Sequence, residues 1–488
     1  LFLGVTGASL AVLAALAVAS ASCSLVVGSL NECSVDSDCA SKSQSQGAPL
    51  RCVNQLCVFN SDTPDSGTPD AGNNRCSVML GNPDAGSVLY LGALLPKTDA
   101  TGATDARGQY RQQAIQLAVD SLNNQGGVAS RNIAVHVCDD SSDGPTAQTL
   151  ATQLINEGAV AIITGGSTPT LAASSPATPA GVLIFSGSAT SAQIASAGVV
   201  AGGGVKLVWS AAPSDNLQGQ VLASLILDGG YQNPTSIHRN DSYGQGLYDT
   251  VDGLLSESGA FPNGLNGGTF SFSPNATDVS VQVSGAEALN PDVVLLIANP
   301  NEADRLLSTW TNPDPHWLFS DASRTVSVIN GLDGGVQRLQ GSMGTGPSTG
   351  GANSQVYRDF SNAYIAAFGQ DPATSSFVAN TYDVTMLLAA SAVWANSNGG
   401  SITGETMAQG LTHLSDTYAD GGPVTPTSLF YTNFPTVTSA LTLGNPVNIE
   451  GASGALNFDP NTGIAPGPID IWVIAPDGGI VTLNTVTP

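Results

Sequence analysis

Lysine and arginine are almost missing from this chain. Thirteen basic residues face 38 acidic ones along 488 positions, a formal charge of −25, and the only lysines are Lys42, Lys97 and Lys206. Charged residues make up 10% of the sequence, against roughly a quarter in an average soluble domain, so the acidity comes from absent cations more than from added carboxylates. No face can neutralise a run of phosphates, which excludes binding to nucleic acid or to an anionic bilayer through a basic patch. Histidine is scarce as well. His136, His238, His316 and His413 lie far apart and form no ligand pair at helical spacing, so no metal is expected and each is read as a polar surface or strand-end residue. No Gly-Lys dipeptide occurs, which excludes a Walker-type phosphate loop. With no nucleophile beside a partnered histidine, neither enzyme activity nor a cofactor is expected. What is plentiful is apolar residues (42%), glycine (56) and proline (28), enough for large cores joined by many turns. The length corresponds to two or three domains.

The first charged residue is Glu32, and residues 1–21 are apolar or small throughout. Residues 1–22 are therefore expected to be an export signal, and the lack of an initial Met and of a basic segment implies a start further upstream. Ser20-Ala21-Ser22-Cys23 resembles a bacterial lipobox, with Ser where Leu is usual, and lipidation of Cys23 is the favoured reading. Cleavage after Ala19-Ser20-Ala21 with simple secretion, or a retained span, are the alternatives. Removing Cys23 from the seven cysteines leaves an even six, as an oxidising compartment favours.

Residues 23–60 form a Cys-rich segment, in which Cys33, Cys39, Cys52 and Cys57 have the spacing Cys-x5-Cys-x12-Cys-x4-Cys. Disulfides of open connectivity are expected there, with zinc the alternative. Residues 61–86 repeat Pro-Asp-x-Gly and are expected to be a disordered tether. Further on, short β-rich runs (88–94, 133–137, 159–163, 181–185, 236–239, 293–298, 316–319) alternate with helical stretches (109–122, 147–156, 217–227, 246–258, 303–310, 355–368, 379–397). This pattern gives an α/β fold of βαβ units with parallel sheets, and its extent calls for two lobes. Ligands bind parallel sheets at the carboxyl ends of strands, beside free helix N–H groups. Two such ends here are Thr164-Gly165-Gly166-Ser167-Thr168 and Ser186-Gly187-Ser188-Ala189-Thr190, hydroxyl-rich and opened by glycine. They suit a small carboxylate held without Lys or Arg; simple helix capping by the same hydroxyls remains open.

Several blocks in order resemble the branched-chain amino acid binding protein family, the periplasmic receptors of ABC importers. They include Leu122-Asn123-Asn124-Gln125-Gly126-Gly127, Ser186-Gly187-Ser188-Ala189-Thr190, Ala212-Pro213-Ser214-Asp215-Asn216, Asp241-Ser242-Tyr243-Gly244, Phe319-Ser320-Asp321 and Gly454-Ala455-Leu456-Asn457-Phe458-Asp459. The resemblance implies a type I periplasmic binding fold with a three-crossing hinge, lobe 1 being residues 87–211 and 345–450 and lobe 2 residues 213–344 and 451–488. It implies that Ser167, Ser188 and Thr190 hold an amino acid's carboxylate and ammonium by hydroxyl and backbone groups, that Asp321 pairs with the ammonium, and that Tyr243 lines the closing face. Two positions depart from the leucine-binding members. Asn299 stands where a ligand-contacting Tyr is usual, and Arg107 replaces a cleft aromatic, which points to a more polar ligand. The family's first-lobe disulfide is not reproduced, and a Cys76–Cys138 bridge is predicted instead. The expected function is a monomeric, lipid-anchored receptor on the periplasmic side of a bacterial membrane, delivering its ligand to an ABC permease. A sensor of the same fold without transport is the alternative.

Overall fold

A computed structural model describes residues 50–53, 56–59, 75–199, 204–265, 269–348, 354–415 and 426–487. The signal segment, Cys23, Cys33, Cys39 and most of the tether lie outside the described residues. The chain divides after Asn73 into two units. In the first, β1 (Leu50–Val53) and β2 (Leu56–Phe59) pair antiparallel, with Cys52 opposite Cys57 in the register.

The second unit is built on two sheets. One contains β3 (Cys76–Gly81), β4 (Val88–Leu95), β5 (Asn132–Asp139), β6 (Ala161–Thr164), β7 (Leu183–Ser186) and β8 (Val208–Ser210) in the order β3-β5-β4-β6-β7-β8. All neighbours run parallel except β3, which is antiparallel to β5. The strands are apolar on both faces because both are covered. Leu91, Ala93 and Leu95 pack with α1 (Ala106–Asn124), whereas Leu94 and Ile162 pack with α2 (Gly144–Asn156) and α3 (Ser167–Ala177).

The other sheet takes β9 (Pro234–Arg239), β10 (Thr269–Phe272), β11 (Val293–Ile297), β12 (His316–Phe319), β13 (Met343–Pro347), β17 (Ile469–Ile474) and β18 (Ile480–Val486) in the order β10-β9-β11-β12-β13-β17-β18. Its first five strands are parallel and the last two antiparallel additions. Alternate residues of β11 again point to opposite cores. Val293, Leu295 and Ile297 meet α4 (Asp215–Asp228) and α5 (Gly244–Glu257), while Val294 and Leu296 meet α6 (Ser280–Ala288) and α7 (Pro300–Thr309). The remaining elements return to the first lobe. Helices α8 (Gln355–Phe368), α9 (Val378–Asn398), α10 (Gly404–Leu411) and α11 (Phe434–Thr442) contribute Phe360, Leu387, Met407 and Val437 to its core. A small sheet of β14 (Pro426–Ser428), β15 (Asn448–Gly451) and β16 (Gly454–Ala455) adds Ile449.

The chain crosses between lobes three times, and the crossings lie side by side. Ser210 exchanges backbone hydrogen bonds with Gly463 and Ala465, and Ser348 donates its N–H to the Pro468 carbonyl. Three expected boundaries move. The tether does not reach residue 86, because Cys76–Gly81 is an edge strand joined to β5 by the ladder and by a Cys76–Cys138 disulfide. The second crossing follows Pro347, not residue 344, since β13 belongs to the second sheet. The third falls after Ala465, because Ala452, Leu456, Phe458 and Ala465 are core residues of lobe 1. His238 is a further correction: it is fully buried in β9 and stacked 4.2 Å from Tyr248, and burial pulls its pKa down to about 4.

Candidate functional site

The carboxyl ends of the two parallel sheets face each other across the hinge and form a pocket lined by both lobes. Six of the seven residues singled out from sequence line it: Arg107, Ser167 and Ser188 from lobe 1, and Tyr243, Asn299 and Asp321 from lobe 2. Thr190 stands one step behind, giving its N–H to the Ser167 Oγ.

On lobe 1 the chain leaves β6 through Gly165 and Gly166, the latter at φ 95°, where a side chain would be strained, and enters α3. The Gly166 N–H donates to Ser188 Oγ (2.9 Å), and the N–H groups of Thr190 and Ser191 donate to Ser167 Oγ (3.2 and 3.1 Å). Each hydroxyl thus has an acceptor role filled by backbone and keeps its own proton to give away. Two O–H donors beside a helix N-terminus form a cradle for an anion.

Lobe 2 presents the opposite charge. Asp321 follows β12 and is 3% exposed; Tyr243 Oη lies 2.6 Å from its Oδ1, and Gln218 Nε2 donates to the same atom at 3.1 Å. Asp215, the first residue of α4, is 1% exposed, with the Thr190 hydroxyl beside it. Burial and, for Asp215, the charge of Asp321 raise both carboxyl pKa values. Burial and the same two carboxylates likewise raise that of Tyr243. Two neighbouring buried carboxyls cannot both ionise easily, and a ligand cation relieves this. Sequence reading missed Asp215. An acid in the first turn of a helix is accounted for by the helix dipole alone, and only its burial beside Asp321 marks it out.

The two departures from the leucine-binding pattern meet each other. Arg107 Nη1 donates to Asn299 Oδ1 at 2.7 Å across the cleft, while its Nε and Nη2 are held by Asp105. Arg107 is thereby a neutralised tie between lobes more than a free cation. Thr168 and Ser242 hydroxyls add a second tie (2.8 Å), and Asp99 a third, with Arg305 Nη1 and Asn301 Nδ2 each 3.2 Å from its Oδ2. The lobes are closed on each other. Arg239 is likewise consumed, by Asp241 and Glu302. A Gly-x-Ser-x-Gly spacing does occur at residues 346–350, where Ser348 directly follows β13 at a hinge crossing and gives its N–H to the Pro468 carbonyl.

The family described as periplasmic binding protein matches residues 90–443. The chain belongs to this family. A curated relative, the leucine-, isoleucine-, valine-, threonine- and alanine-binding protein of Pseudomonas aeruginosa, is 27% identical over 215 residues, 42% of this chain and 55% of that protein. The chain thus matches only about half the length of that relative. Among solved structures, the leucine binding protein LivK of Thermotoga maritima has a TM-score of 0.64 at 20% identity, covering 82% of this chain and 99% of that one. LivJ of Streptococcus pneumoniae, a branched-chain amino acid transporter substrate binding protein solved with isoleucine, gives 0.61 at 18%, covering 82% and 100%. These likenesses identify the fold as the type I periplasmic binding protein fold, with its extracytoplasmic setting implied by the family. No helix among the described residues is long and apolar enough to cross a membrane.

Proposed function

We propose that this periplasmic binding protein captures an amino acid or a similar small polar ligand between its lobes and delivers it to an ABC importer. The carrying observation is the pairing of unlike walls: Ser167 and Ser188 with free O–H donors at the start of α3 on one side, Asp321 with Tyr243 on the other. A zwitterion satisfies both walls at once and so favours the closed state, which a permease then reads. The relatives named for amino acid binding support the same class. A lipid anchor at Cys23 fits the lipobox-like segment and would hold the receptor as a monomer at the membrane. Because a ligand that binds only the native state raises its melting temperature, a thermal-shift screen of amino acids on the full chain tests the reading. An upward shift with at least one amino acid is expected, and none with any amino acid or amide defeats it. Sensing without transport is the second reading, favoured by the separate unit before residue 74; adjacent permease and ATPase genes would decide for import.

A further inference from the structure

One cation in the cleft has no counterion. Arg111, on α1, is 2% exposed and lines the cavity, yet among the described residues it makes no ion pair with any carboxylate. Its Nε has no hydrogen-bond partner, and its one protein contact of that kind is a long 3.5 Å bond from Nη2 to the Ser376 carbonyl. The contrast with its neighbours is sharp: Arg107 is held by Asp105 and Asn299, and Arg239 by Asp241 and Glu302. An unpaired guanidinium in a dry site is costly, and burial together with the nearby Arg107 drags its pKa down to about 9. Asp105, Asp140 and Asp321 act on it only from a distance.

The surroundings hold the group in place. The Arg111 guanidinium stacks over the Phe377 ring, 5.6 Å from its centroid. Phe377 itself has φ 65°, a conformation rare for a bulky residue and one that persists at sites where the fold enforces it. At Gly165 a Cβ would come 3.1 Å from Arg111 Nη1, so the loop leading to α3 closes around the guanidinium.

We infer that Arg111 receives a second acidic group of the ligand, so that the ligand class is an amino acid with an anionic side chain. This rests on the amino acid reading above: once the ammonium meets Asp321 and the α-carboxylate meets Ser167, Ser188 and α3, Arg111 is the charge left over. A side-chain carboxylate forms the charge-assisted pair that the guanidinium lacks.

Isothermal titration of the full chain with L-aspartate and L-glutamate, against L-asparagine, L-glutamine and L-leucine, tests this. Each acid differs from its amide in charge at nearly constant shape. At least one acid is expected to bind about 100-fold more tightly than its amide, with Arg111→Met bringing that ratio close to one and Arg111→Lys restoring part of it. Ligand-free Arg111→Met is expected to melt no lower than the wild type, since it removes an uncompensated buried charge; Arg111→Gln serves if the Met variant fails to fold. Amides or leucine binding as tightly as the acids would overturn the inference and leave the receptor reading standing. Loss of all amino acid binding in Arg111→Met, with no acid preference in the wild type, would place Arg111 on the α-carboxylate and equally overturn it. If succinate or glutarate binds through Arg111 while no amino acid does, the anion site stands and the amino acid reading falls. No binding by any of these compounds sinks both.

Discussion

Asp215 and Asp321 make the cleft's response to pH a directional matter. Burial raises both carboxyls in the ligand-free protein, helped at Asp215 by the charge of Asp321, and a ligand ammonium favours the ionised form. Binding is therefore expected to release protons and to tighten as pH rises through the raised range; titration calorimetry in buffers of different ionisation enthalpy measures it, and proton uptake would contradict it. Stability runs the other way. Asp140 and Asp383, fully buried with pKa values of about 7, bind more protons folded than unfolded. Their contribution is complete below the unfolded carboxyl pKa and lost as pH rises through about 7, so the ligand-free protein should melt lower at about pH 8 than at about pH 5. Asp140→Asn should narrow that difference. At this scale the sequence was legible where residue type carried the meaning: Ser167, Ser188, Tyr243 and Asp321 line the cavity that the family resemblance implied. Arg111 and Asp215 were not legible, because their importance lies in burial and in which charges stand near them, which no linear spacing shows.

Elements were legible wherever an apolar run or a helical stretch was long and clearly bounded, as in β4, β11, α1 and α9. The ones overlooked needed their neighbours. Strand β3 is an edge strand whose outward residues alternate with inward ones and whose position follows from pairing with β5 and from the disulfide. Strand β8 has three residues, and β17 and β18 complete a sheet begun more than a hundred positions earlier. The Cys76–Cys138 bridge spans a sequence separation of 62. Replacing both cysteines with Ser is expected to cost about 2–4 kcal/mol, since a loop of that length is freed in the unfolded chain. Urea denaturation of the full chain checks it, and an unchanged midpoint would show that the ladder alone fixes the edge.

The second unit is two doubly wound lobes joined across the cleft by side-chain ties that include Asp99 with Arg305 and Asn301, Arg107 with Asn299, and Thr168 with Ser242. Because closure and binding are linked, weakening a tie should lower affinity without touching ligand. Asp99→Ala combined with Arg305→Ala is expected to weaken binding by about 3- to 10-fold and to enlarge the radius of gyration of the ligand-free protein in X-ray scattering. Unaltered scattering and affinity would mean that the ties follow closure without favouring it. The central claim is that the cleft recognises a zwitterion through opposed walls, and titration calorimetry of wild type and Asp321→Asn with the amino acid that gives the largest thermal shift tests it most directly. The account predicts a loss of about 100-fold or more in Asp321→Asn with the fold intact by circular dichroism, because the ammonium loses its buried partner. Equal affinity in the two proteins would contradict it.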